Sequence, residues 1–182
     1  LHEQQKIASF LDEKVAHIDS ILEDTKKSIE YLKAYKQSLI TETVTKGLNA
    51  TVEMKDSGIK WIGEIPKHWQ LGRLKYVLSE ETNSLRVGPF GSHLKNSDFT
   101  LEGKWVYNQR TVLDKNFNSN DTFISDEKYE EMQAFKIDAG EILLTTRGTI
   151  GKIARVPDNF FEGIIHSSII KFKLDNKKYR YD

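Results

Sequence analysis

The first 46 residues carry one apolar heptad register that runs unbroken to a glycine. Counting a positions at Ala8, Val15, Leu22 and Ile29 and d positions at Leu11, Ile18, Leu32 and Leu39 gives a period of 3.5, the spacing of a helix that packs along its length on another helix. A helix from about Glu3 to Lys46 spans roughly 65 Å at 1.5 Å per residue, so its apolar edge needs a partner of similar reach. Leu11, Val15, Ile18, Leu22, Ile29, Leu32 and Leu39 are therefore the expected helix-pairing residues. Thr25 and Lys36 interrupt the seam, and polar seam residues fix register or partner at some cost in stability. The alternative is a helix lying on the body of its own domain.

At 182 residues the chain has room for this rod and one ordinary domain, and its three Trp, seven Tyr and nine Phe are enough for a real core. The absence of cysteine excludes disulfides and thiolate metal sites and fits a reducing compartment. No apolar run reaches membrane-span length and no signal peptide opens the chain, so the expected location is cytoplasmic, without membrane contact. Residues 1–53 hold 7 basic and 9 acidic side chains and the remainder 20 and 18, so neither part binds nucleic acid through bulk charge alone. Two local basic runs stand out: Arg147, Lys152 and Arg155 without an intervening acid, and Lys171, Lys173, Lys177, Lys178 and Arg180 against Asp175 only. Such runs are usually solvated faces.

Lys46-Gly47 supplies a cation for the last helical turn and a residue suited to the left-handed position after it, which ends the rod. Residues 48–69 read as an anchored connector, with a turn at Asp56-Ser57-Gly58, an extended step at Ile65-Pro66, and Trp61, Ile62, Ile65 and Trp69 expected to lie across the domain that follows. In residues 70–182, Ser125 caps a short helix reaching about Phe135. Glu141–Thr146 and Lys152–Val156 form a hairpin around Gly148 and Gly151. Ser168–Leu174 is expected to be a half-exposed strand, with Ile170, Phe172 and Leu174 on the apolar face and Lys171 and Lys173 on the wet one. The fold class is α+β: a long coiled-coil-type helix followed by a mixed α/β globule. A chain that begins inside a helix and stops at Tyr179-Arg180-Tyr181-Asp182 without a closing element reads as a fragment.

No nucleotide-binding, zincin or nucleophile-elbow string occurs, no Asn/Asp-Pro-Pro-Tyr/Phe methyltransferase string either, and the five histidines lack metal-ligand spacing. The adjacent His166 and Ser167 are more often structural than catalytic. Two glycine-bearing loops offer phosphate and base-edge chemistry: Arg86 to Lys95, with Ser92 and His93, and Thr145 to Lys152, with Arg147 and Thr149. Asn108-Gln109-Arg110 adds three side chains able to contact purines in bidentate fashion, or alternatively a polar strand end. The candidate DNA-contacting residues are thus Arg86, Ser92, His93, Lys95, Asn108, Gln109, Arg110, Arg147, Thr149 and Lys152. For each loop the alternative is glycine used for tight turning.

Glu3-Gln4-Gln5-Lys6-Ile7-Ala8, Phe10-Leu11-Asp12, Ile18-Asp19 and Val44-Thr45-Lys46-Gly47-Leu48 resemble the central conserved helix of type I restriction-modification specificity subunits. Met54 to Ile59 with Trp61-Ile62-Gly63-Glu64-Ile65-Pro66-Lys67-His68-Trp69 is similar to the start of that family's second target recognition domain. Gly88-Pro89-Phe90-Gly91-Ser92 and Gly140-Glu141-Ile142-Leu143-Leu144 resemble strings inside such domains. The resemblance implies a non-catalytic, sequence-specific reader of double-stranded DNA, in which paired helices space two recognition domains on a bipartite site. It implies modification and restriction subunits as partners, with S-adenosylmethionine, ATP and Mg held by those subunits and no cofactor on this chain. These residues hold no counterpart of that family's second conserved helix, so self-association through the long helix is a further expectation. The competing readings are a coiled-coil adaptor with a protein-binding domain and an enzyme on an unfamiliar fold.

Overall fold

The computed structural model describes residues 2–175 and Lys177, in two compact units divided between Leu71 and Gly72. The basic run's Lys178 and Arg180 and the closing Tyr179–Asp182 lie outside the described residues.

The first unit is built on helix α1, His2–Lys46, which spans about 67 Å at 1.5 Å per residue. No residue of α1 is buried in this chain, and the seam leucines and isoleucines stand about half exposed. Ile7, Phe10, Ile21, Tyr31 and Tyr35 are exposed too and flank the seam on one side. They occupy heptad positions c and g, and within each heptad, at about 100° per residue, they widen the apolar sector to about 160°. Thr25 satisfies its own hydroxyl by donating to Ile21 O (2.7 Å), so this polar seam position needs no partner group. The helix stops as its sequence indicates, with Gly47 at φ +78° donating to Thr43 O.

The connector is a small hairpin, with strand β1 (Met54–Asp56) antiparallel to β2 (Glu64–Pro66). Asp56 Oδ1 accepts from Gly58 N in the expected turn, and Lys67 pairs with Glu53 at 2.8 Å. Ile65 and Pro66 are buried, and the Trp69 indole lies where a Cβ on Gly47 would touch it, so this hairpin packs on the end of α1. Trp61 is 81% exposed.

In the second unit the strands are β3 (Leu85–Val87), β4 (Phe99–Thr100), β5 (Lys104–Tyr107), β6 (Phe123–Ile124), β7 (Ile142–Thr145), β8 (Ile153–Arg155), β9 (Gly163–Ile165) and β10 (Ile169–Phe172). Helices α2 (Gln109–Asp114) and α3 (Asp126–Glu131) complete it, with short 3-10 turns between. One sheet has the order β3-β10-β7-β8, all antiparallel, and the other β4-β6-β5-β9, in which β5 and β9 run parallel. The chain passes from one sheet to the other at His166–Ser168. Gly163 makes the parallel pairing possible, because a Cβ there would sit 2.3 Å from Trp105 O.

Alternation along β5 and β9 divides the core. Tyr107 and Ile165 face Leu143, Ala154 and Ile169 of the first sheet, joined by Val112 of α2. Val106 and Ile164 face the other way, onto Ile124 and Met132 at the end of α3. Burying these side chains, at roughly 1.5–3 kcal/mol for each large one, is what holds the layers together. Ser125 caps α3 as the sequence indicates, accepting from Lys128 N.

The parity expected for β10 is reversed at Lys171. The strand lies between β3 and β7, and the face that carries Lys171 also carries Ile169, beside Leu143 and Thr145. Lys171 is therefore buried, and its ammonium donates to Glu141 at 2.7 Å with both side chains 3% exposed. The second Glu141 oxygen accepts from Asp138 N, so the carboxylate is fully used. Lys173 is paired with Glu81 at 2.6 Å, so of the basic C-terminal run Lys171 enters a core pair and Lys173 a surface pair.

Candidate nucleic-acid interface

Three segments separated in sequence meet at one end of the second unit: the loop after β3, the N-terminus of α2 and the β7–β8 hairpin tip. The Arg147 guanidinium lies over the Phe90 ring, 5.1 Å from its centroid, which joins loop to tip. Gln109 joins α2 to the same tip: oriented by its neighbours, its amide donates to Arg147 O (2.6 Å) and accepts from Thr149 N (2.9 Å). Gly148, at φ +64°, makes room for that amide, since a Cβ there would approach it to 2.7 Å.

The tip is also held from inside and from behind. Thr145 Oγ1 accepts from Lys152 N, Thr145 O from Gly151 N, and Thr146 donates both N and Oγ1 to Ser168 O. The loop after β3 is anchored by Gly88, whose N donates to Ile169 O and whose missing Cβ would fall 2.1 Å from His166 O. Gly88 thus serves close backbone approach, while Gly91 at φ +59° has open space around it and supplies the turn.

Among the candidate DNA-contacting residues, Arg147, Thr149 and Lys152 sit exposed on the tip, and Ser92 and His93 sit exposed on the short turn after Phe90. His93 Nδ1 lies 3.1 Å from Phe90 O. Asn108 is the N-cap of α2, its Oδ1 accepting from Arg110 N. Arg110 is exposed and lies 3.8 Å from Asp114 across one helical turn. It borders a polar cleft of about 280 Å³ that also exposes Asp114 and Asp121, whose charges oppose phosphate. Arg86 is turned onto the Phe135 ring at 5.3 Å. Lys95 is exposed beside the turn Asn96–Asp98, where its own N donates to Asp98.

Phe90 and His166 belong to this region and were not among the candidates. A phenylalanine between Pro89 and Gly91, with no neighbouring apolar run to bury it, is the signal that could have found the first. His166 is half-buried and its pKa is held below the usual histidine value by that burial and then by the nearby Arg147 cation. Its Nδ1 faces Ser168 Oγ at 3.1 Å rather than the adjacent Ser167, which gives the pair a turn-forming role. Among the described residues no group of three His, Cys, Asp or Glu side chains could hold a metal ion, and no helix is long and apolar enough to cross a membrane.

No family model matches the chain. It is 26% identical over 183 aligned positions to the type I restriction enzyme MjaVIII specificity subunit of Methanocaldococcus jannaschii, covering 98% of this chain and 40% of that protein. A solved chain from a structural study of type I restriction-modification complex assembly and conformational transition aligns with 89% of this chain and 36% of its own length, at 16% identity and a TM-score of 0.46. The chain therefore spans about two fifths of the curated relative it matches, and along nearly all of its own length it is similar to a type I restriction specificity subunit.

Proposed function

We propose that this chain is a non-catalytic, DNA-reading part of a type I restriction-modification specificity subunit, acting in the cytoplasm. The observation that carries this reading is the likeness to such a subunit over 98% of the chain. It is supported by the convergence of three polar loops around one exposed arginine. The second unit is the target recognition domain, and Arg147, Thr149, Lys152, Ser92, His93 and Lys95 face the DNA. S-adenosylmethionine, ATP and Mg belong to the partner subunits, and this chain contributes recognition and spacing.

The rod fits the same assembly. An apolar sector of about 160° is wider than a two-stranded seam uses and suits a helix covered on two sides, by a second spacer helix and by a modification subunit. Leu32→Asp puts a charge in the middle of the seam and is expected to abolish helix pairing. Sedimentation of the assembled subunits should show their dissociation, and an unaltered profile would remove the pairing role.

The deciding experiment co-expresses the full reading frame with its modification subunit and maps N6-methyladenine across the host DNA. A split motif is the expected result, asymmetric if two different recognition domains act and palindromic if one domain self-pairs. No motif, from a soluble complex with an active methyltransferase, would favour the coiled-coil adaptor instead. In that complex Arg147→Ala and Lys95→Ala should each weaken DNA binding. Where the deleted cation neutralised a phosphate, the slope of log affinity against log salt should become shallower by about 0.9. Unchanged affinity and motif for both variants would remove these two loops from the interface.

A further inference from the structure

Gln109 was expected to touch DNA, yet both polar ends of its amide are spent on the hairpin tip, on Arg147 O and Thr149 N. The edge that would pair with an adenine is therefore occupied. Arg147 is in the opposite condition. Its guanidinium lies over Phe90, it is exposed, and among the described residues no carboxylate within 4.0 Å pairs with it, whereas Arg110 has Asp114. A guanidinium held over a ring by cation–π attraction keeps its N–H groups as donors, and its rigid fork matches O6 and N7 of guanine in the major groove.

The geometry points to Arg147, held over the Phe90 ring, as the side chain that reads a guanine edge, and to Gln109 as the positioning residue that aims it. This assignment rests on the DNA-reading function proposed above. Aiming is needed because an arginine on a free hairpin tip would lose much of its affinity in being ordered on binding. Here the ordering is built in. Thr146 fixes the base of the tip to Ser168, Gln109 fixes its crown, and Phe90 supplies the ring over which the guanidinium sits. Phe90 itself is 48% exposed, so the pair stands at the surface where a groove could receive it.

The test uses the full-length chain assembled with its modification subunits and reads the methylated motif together with the affinity for matched and mismatched duplexes. Arg147→Lys keeps the charge and removes the planar fork. Discrimination at one guanine position should fall about ten- to a hundred-fold, with a smaller change of salt slope than Arg147→Ala produces. Gln109→Ala should relax the same position to a smaller degree, and the double variant should be no worse than Arg147→Lys alone. An unchanged motif in Arg147→Lys would overturn the guanine assignment. Relaxation of a different base pair by Gln109→Ala would show direct contact and overturn the positioning role. A wild-type complex that yields no motif at all would instead remove the DNA-reading function beneath both. Arg147 is exposed, so Arg147→Lys remains a folded probe even if Gln109→Ala loosens the tip.

Discussion

Lys171→Met should destabilise the second unit by about 3–5 kcal/mol, because it leaves the Glu141 carboxylate buried without its cation. Both side chains are 3% exposed and 2.7 Å apart, so water cannot take over the lost role. Folded domains are stable by only about 5–15 kcal/mol, and the variant should sit near the edge of unfolding at room temperature. Lys171→Met combined with Glu141→Gln removes the stranded charge while keeping an acceptor for Asp138 N, and more than half of the loss should return. Urea melts of the full chain and its two variants, followed by tryptophan fluorescence, decide the matter. A single variant within about 1 kcal/mol of the parent would mean that the pair contributes no more than a surface one.

Gly88→Ala is the second substitution expected to act strongly, by about 3 kcal/mol, through overpacking against backbone rather than against a pliable side chain. The added methyl would fall 2.1 Å from His166 O and 2.6 Å from His166 C. β3 must then withdraw from the turn between β9 and β10, breaking the Gly88 N to Ile169 O bond of 2.9 Å. Since Phe90 follows two residues later, the surface under Arg147 moves with it, and DNA binding should fall along with stability. Gly91→Ala supplies the comparison, having open space but a left-handed backbone at φ +59°, and should cost about 1–2 kcal/mol. Equal melting temperatures for the two variants would show that the close approach at Gly88 relaxes freely.

What could be read from the sequence was what is local. The heptad register, the Gly47 stop, the Ser125 cap and the hairpin around Gly148 and Gly151 each depend on neighbours within a few residues, and each is present. The reversed parity of β10 was hidden because alternation implies a wet face only when a sheet is covered on one side, and the acid that neutralises Lys171 lies 30 residues away. The parallel pairing of β5 with β9 was hidden for a similar reason, joining Trp105 to Gly163 across the whole body of the unit. In the interface, residue chemistry singled out the three segments that do converge. At Gln109 residue chemistry could not choose, because the hydrogen-bonding capacity that suits a purine equally suits a hairpin tip, and the fold brings its amide to the tip.

The grip of Gln109 falls on a carbonyl oxygen and an amide hydrogen, groups that every residue type except proline supplies. The side chains at 147 and 149 are consequently decoupled from the bonds that shape the tip. Along 147–152 the positions bound to their identity are Gly148 and Gly151, each by its positive φ and Gly148 also by the amide packed against it. A lineage carrying such a tip can exchange residues 147, 149 and 152 one at a time without passing through unstable intermediates. On the proposed function, recognition is then free to drift while the scaffold beneath it stays under selection, which is the condition for one fold to diversify into many readers.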